Sequence, residues 1–183
     1  MGRRVGVLVS GEGSNLQALL DEGVEIAAVA ANNAEAHGLA RAGLAGVPHA
    51  SFPLGDYPDR DARDAAMADW LETHHVQLVV CAGYMHLLQP CFLERFPGAI
   101  VNVHPALLPA FPGAHAVEEA LAAGVDETGA TVHLVDEGVD TGAVLRQERV
   151  PVLVGDTRES LHARIQEVEH RLLPEVVKEL VEA

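Results

Sequence analysis

An alternation of short apolar runs with longer amphipathic segments constrains this chain more than any other feature. The runs "RVGVLVS", "EIAAVAAN", "PHASF", "LVVCAG" and "AIVNVH" are bounded by Gly, Pro or polar residues and read as buried strands. Between them "NLQALLD", "EAHGLARAGLA", "ARDAAMADWLETH" and "PCFLERF" carry helical spacing. Such alternation predicts a mostly parallel sheet with helices on both faces. After residue 114 the pattern changes: "HAVEEALAAG" reads as a helix, and "ETGATVHLV" and "AVLRQERVPV" read as strands joined by the loop "DEGVDTG". The last segment, "DTRESLHARIQEVEHRLLPEVVKELVEA", predicts one long amphipathic helix with an Asp/Thr cap, and Pro174 is placed to kink or break it. The expected fold is α/β: a single domain over residues 1–183 with a doubly wound, mostly parallel twisted sheet of about seven strands.

With 183 residues the chain suits one well-buried domain. No apolar run approaches the length of a membrane span, and the run after Met1–Arg4 is too short for a signal peptide. The two cysteines, Cys81 and Cys91, lack metal-ligand spacing and are too few for a disulfide framework, which fits a reducing cytoplasm. A formal charge of -15 argues against nucleic acid or an anionic membrane as the main partner. An anionic small molecule would then have to be held by local devices.

In open α/β sheets ligands sit outside the carboxyl ends of the strands, so the strand ends were read for chemistry. The first strand runs into "SGEGSNLQ", where Gly11 and Gly13 permit a tight turn. Ser14 and Asn15 read as N-cap residues for the next helix. Free N–H groups at such a helix start suit a phosphate or carboxylate, although the stretch matches neither the dinucleotide fingerprint nor the nucleotide P-loop. An ordinary βα turn is the bland alternative. In "AIVNVHPALLP", residues two apart share a strand face, so Asn102 and His104 project together while Val101 and Val103 pack opposite. An amide can donate to a developing oxyanion, and an imidazole can donate or shuttle a proton at neutral pH. Taken alone, a histidine in a strand is more often a satisfied structural group. The loop in "HLVDEGVDTG" offers Asp136 and Asp140, either of which could orient an imidazole, and the residues leave that choice open. His133, on the strand leading into that loop, reads as a supporting residue.

Together "SGEGSNLQ", "NVHPALLPAFPG", His115 followed by "EEAL", and "GATVHLVDEGVDTGAVLRQ" resemble, in order and spacing, the folate-dependent glycinamide ribonucleotide formyltransferases of purine synthesis. The resemblance runs from residue 4 to about residue 175. It implies transfer of a formyl group from 10-formyltetrahydrofolate, the co-substrate, to the primary amine of a phosphoribosyl glycinamide, with no metal. It implies a catalytic set of Asn102, His104 and Asp140. It also implies ribonucleotide binding by Gly11, Gly13, Ser14, Asn15 and Glu169, and a folate pocket lined by Met85, His86, Leu87, Leu88, Val139 and Asn102. Small molecules are the implied partners, and the protein would act as a monomer or homodimer. The N-terminal half, about residues 1–100, would bind phosphate, and residues from about 101 to 183 would carry folate and catalysis.

Three positions depart from that pattern. His86 stands where an arginine is usual, and Ala106 and Ala110 replace Ser and Lys. Arg60 or Arg63 is expected to supply the missing charge, and His86, if it titrates beside the folate tail, should make folate binding weaken from about pH 6 to about pH 8. Formyltetrahydrofolate hydrolase, which shares the Asn, His and Asp set, is one alternative. A non-catalytic folate or nucleotide binding protein of the same fold is the other.

Overall fold

A computed structural model describes residues 2–183. Seven strands form one sheet in the order β3-β2-β1-β4-β5-β6-β7. The strands are β1 Val5–Val9, β2 Ile26–Ala31, β3 His49–Ser51, β4 Leu78–Cys81, β5 Ile100–His104, β6 Glu127–Leu134 and β7 Val144–Pro151. The helices are α1 Ser14–Asp21, α2 His37–Leu44, α3 Arg60–Thr73, α4 Pro90–Leu93, α5 Ala116–Ala123 and α6 Arg158–Glu182. β1 to β5 pair in parallel, while β6 runs antiparallel to both its neighbours.

The central strands are apolar along their whole length because both faces are covered. Val5, Val7, Val9, Val29, Val80, Val101, Val103 and Val132 pack on one face against Leu16 and Leu19 of α1 and Leu161, Ile165 and Leu173 of α6. Leu8, Ala28, Ala30, Val79, Cys81 and Ile100 pack on the other against Met67 and Leu71 of α3 and Phe92 of α4. Strand order reverses between β1 and β4, which pair with each other near the middle of the sheet, and in open α/β sheets ligands bind beyond the carboxyl ends at such a point. A hydrogen bond from Met85 N to Ser10 Oγ, 2.9 Å, ties the segments leaving these two strands together.

Three local expectations change. Gly13, at φ 72°, is the N-cap of α1, so Ser14 and Asn15 are its first two residues and no side chain caps the helix. Glycine at the N-cap offers no side-chain acceptor, and Ser14 Oγ is paired with His170 Nε2 instead. α4 is a single turn, Pro90–Leu93, because the chain tightens there through Arg95 N to Phe92 O and Phe96 N to Leu93 O. α6 runs through Pro174 without a break. The proline removes one backbone donor, but Leu172, Leu173, Val176 and Val177 around it are buried, and their packing holds the helix. Its N-terminus follows expectation: Thr157 caps it, and Ser160 Oγ answers from N3 at 2.9 Å.

Candidate active site

The glycine turn after β1 is fixed by close packing. A Cβ on Gly13 would lie 2.6 Å from Gly38 Cα, and the residue's positive φ already disfavours a side chain. Gly38 N donates to Gly11 O at 3.0 Å, which locks the start of α2 against the turn. Arg41 of α2, missed by the sequence reading, staples the same turn by donating from Nε to Glu12 O at 2.7 Å and from Nη1 to Gln17 Oε1 at 3.2 Å. With no side-chain cap, the first N–H groups of α1 are left for an anion. Behind them Asn15 Nδ2 lies 3.5 Å from Glu169 Oε2 of α6, and Asn15 Oδ1 is buried without a partner. Burial pushes the Glu169 carboxyl up to about 7, and Asn15 only partly opposes this. His170, also missed, reaches Ser14 Oγ from α6 at 3.1 Å. Burial lowers its pKa, so the ring favours its neutral form. Arg41 has no sequence neighbour that marks it, whereas His170 directly follows Glu169, so its place beside that residue was the available signal.

A second cluster forms where β5 pairs with β6. Asn102 is opposite His133, and His104 opposite Thr131, so strand register sets the two polar pairs side by side. β6 ends at Leu134 beside Val101, and the acidic loop then folds back along the sheet to place Asp140 against both histidines. A Cβ on Gly142 would lie 1.7 Å from Leu134 O, so this return requires glycine. Asp140 Oδ2 is 3.4 Å from His104 Nδ1, and its Oδ1 is 3.5 Å from His133 Nε2. Gly113 N donates to Asp140 Oδ2 at 2.8 Å. The hydrogen bond with His133 holds the Asp140 carboxyl below its ordinary range, against the opposing effect of burial and with help from Gly113 N–H and the two imidazoles. Asp136 instead ties its own loop, accepting from Gly138 N at 3.0 Å and Thr141 Oγ1 at 2.6 Å. The geometry thus selects Asp140 from the two acids.

Proton positions in the cluster follow from its carbonyls, which only accept. His133 donates from Nδ1 to Leu134 O at 2.8 Å, and its Nε2 faces both the Asn102 amide at 3.2 Å and Asp140 Oδ1 at 3.5 Å. His104 donates from Nε2 to Phe111 O at 2.7 Å. Phe111 and Asp140 are held at φ 51° and 53°, strained for residues with a side chain. One cleft contains Asn102, His133 and Asp140 together with Cys81, Tyr84, His86, Leu87, Leu88 and the acidic loop. A larger hollow of ≈ 280 Å³, against ≈ 90 Å³ for this cleft, lies around Arg4, Val24 and Lys178 and holds none of these groups.

On the expected folate side, Leu88 is buried and lines the cleft, while Met85, Leu87 and Val139 are 64%, 50% and 45% exposed. Arg60 is exposed at the start of α3, and Arg63 is fully buried, its Nε 2.5 Å from Asp64 Oδ1. Arg63 therefore cannot serve as an exposed anion partner. Burial first, then the charges of Arg63 and Arg60, lower the His86 pKa from its ordinary value, against a smaller opposing effect of Asp64. Cys81 is a core thiol pushed up to about 12 by burial.

A doubly wound sheet with an uncapped helix turn after β1 and an Asn–His–Asp cluster at the end of β5 belongs to the α/β class of proteins. The sequence pattern of the formyl transferase family matches residues 3–177, and the chain belongs to that family. It is 50% identical over 182 residues to phosphoribosylglycinamide formyltransferase of Mycobacterium tuberculosis, covering 97% of this chain and 84% of that one. It is 46% identical over 180 residues to the trifunctional purine biosynthetic protein adenosine-3 of Drosophila pseudoobscura pseudoobscura, and spans only 13% of that protein's length. Among solved structures, glycinamide ribonucleotide transformylase 1 of Symbiobacterium toebii superimposes with a TM-score of 0.96 at 48% identity, covering 99% of this chain and 88% of that one.

Proposed function

We propose that this protein transfers a formyl group from 10-formyltetrahydrofolate to the primary amine of phosphoribosylglycinamide, a step of purine biosynthesis carried out in the cytoplasm. The observation that carries the reading is the approach of Asp140 to His104 at the edge of the cleft that Asn102 and Asp140 line, in a sheet whose first strand also ends in an uncapped helix turn. Similarity over nearly the whole chain to proteins named for this reaction supports it.

The unprotonated amine attacks the formyl carbon, and charge develops on the formyl oxygen. The Asn102 amide nitrogen, 3.2 Å from His133 Nε2, carries two protons, one of which serves that oxygen. His104 Nε2–H now serves the Phe111 carbonyl, a neutral acceptor. An oxyanion is the stronger acceptor, so the N–H is drawn to it as charge builds. Each such donor contributes about 3 kcal/mol to transition-state stabilisation. Asp140, ionised because its pKa is lowered, stabilises the charged imidazole and relays a proton from the attacking nitrogen toward the departing folate nitrogen through a water. At the other end of the crevice, the α1 amides take the phosphate, and Asn15 Oδ1, buried without a partner, accepts from a donor of the ribonucleotide.

Following loss of the formyl donor with and without the ribonucleotide amine tests the reading. Consumption only when the amine is present is the expected result. Equal consumption without it would identify a hydrolase, and none in either case would leave a binding protein.

A further inference from the structure

The folate wall of the cleft contains a buried charge that the transfer mechanism does not use. Arg63 and Asp64, adjacent on α3, are both fully buried and paired to one another. Asp64 has no spare oxygen: Oδ1 takes Arg63 Nε at 2.5 Å and Oδ2 takes Gln89 N, the N-cap of α4, at 2.8 Å. The guanidinium then reaches outward, with Nη1 3.2 Å from His86 Nδ1, while Nη2 finds no partner. Tyr84, whose buried hydroxyl is also unpartnered, meets the His86 ring edge-on with centroids 6.1 Å apart.

An arginine never loses its proton and never accepts a hydrogen bond. The nitrogen of His86 that faces it therefore carries the lone pair, and the imidazole proton resides on Nε2. A second proton on Nδ1 would oppose two N–H groups and add a cation beside Arg63 and Arg60. Asp64, the one carboxylate acting on the ring, is already committed to Arg63 and Gln89. We propose that Arg63 is a positioning residue: its buried guanidinium fixes the proton of His86 on Nε2, so that His86 offers the folate side of the cleft an uncharged N–H donor. This rests on the reading of that cleft as the folate site. The folate oxygen at this rim, carbonyl or carboxylate, is then held by a hydrogen bond instead of an ion pair, and its affinity stays level with pH where a titrating histidine would make it fall.

The ring can be observed directly. Long-range proton–nitrogen NMR spectra of the ligand-free protein, recorded from about pH 5.5 to pH 8.5, report which His86 nitrogen is protonated. The expected result is a neutral ring carrying Nε2–H, with any titration lying below the ordinary 6.5; a neutral ring with its proton on Nδ1, or a midpoint at or above 6.5, overturns the proposal. In Arg63→Met combined with Asp64→Asn, His86 should revert to an imidazole titrating near 6.5. Unchanged behaviour in that variant overturns the role of Arg63, and if the variant does not fold, the wild-type spectrum decides. In turnover assays, His86→Leu should raise KM for the formyl donor about tenfold and change kcat far less, while His86→Gln, which keeps a donor, should raise KM less than about threefold. Equal KM for both variants and the wild type would overturn the donor role. A protein without any turnover would defeat the transfer reading, while the ligand-free spectrum would still decide the Arg63 and His86 arrangement.

Discussion

The anion turn and the Asn102, His104 and Asp140 cluster are built in opposite ways. The turn is a backbone device: one left-handed glycine, an uncapped helix and a close approach to Gly38 create its donors, and side chains such as Arg41 and Glu169 support it from outside. The cluster is a side-chain device whose members come from β5, β6 and the loop beyond, held by distances of 3.2 to 3.5 Å in a network where each group limits the proton of the next. A backbone site tolerates side-chain change nearby but not a change of chain path. A coupled side-chain site fails when any member is lost.

His104→Ala should therefore produce the largest effect, lowering kcat by at least about two orders of magnitude while the affinity for either substrate changes only a few fold. Steady-state kinetics beside calorimetric binding checks this, and near-normal turnover would show that the histidine is structural. Asp140→Asn is expected to cost about as much in kcat, and it also removes a stabilising charge. Because the folded pKa of Asp140 is depressed, that stabilisation is present above its ordinary value of 3.8 and disappears as pH falls below it. Thermal melts of wild type and variant should accordingly differ at pH 7 and converge at low pH.

Substitution in the turn should act on binding. Gly13→Ala combines a positive φ with a 2.6 Å approach to Gly38 Cα, so KM for the ribonucleotide should rise at least about tenfold with a stability loss of about 1–3 kcal/mol. An unchanged KM would mean the phosphate binds elsewhere. The effect expected at Glu169 is on stability alone, and it depends on pH. Its carboxyl is raised from 4.5 to about 7 in the folded protein, so the unfolded chain ionises first and stability declines as pH rises through that interval. Glu169→Gln removes the decline, worth on the order of 3 kcal/mol at full extent, and the variant should gain in melting temperature relative to wild type between about pH 4.5 and pH 7. A difference that does not vary with pH would contradict this protonation.

What could be read beforehand divides along the same line. The period of β5 puts Asn102 and His104 on one face, and "SGEGSNLQ" announces a tight turn, because both depend on residues close in sequence. Which acid serves His104 was not legible from the residues themselves, and only the family resemblance named Asp140, since the choice depends on the reversed direction of β6 and on a loop that folds back over the sheet. The Asn15 to Glu169 contact joins residues 154 apart, and nothing local to either marks it. His86 was read as a titrating group because it stands where an arginine is usual; the buried Arg63 that opposes its charge lies 23 residues away on α3. The cap of α1 failed for a different reason, since a left-handed Gly13 overrode the preference of Ser14 and Asn15.

A pair of double-mutant cycles on kcat/KM tests the division most directly. If His104 and Asp140 act as one unit, combining His104→Ala with Asp140→Asn should cost within about threefold of the worse single change, whereas His104→Ala with Gly13→Ala should multiply the two single losses. Full multiplication in the first cycle, or strong coupling in the second, would contradict the separation of a cooperative catalytic cluster from an independent anion turn.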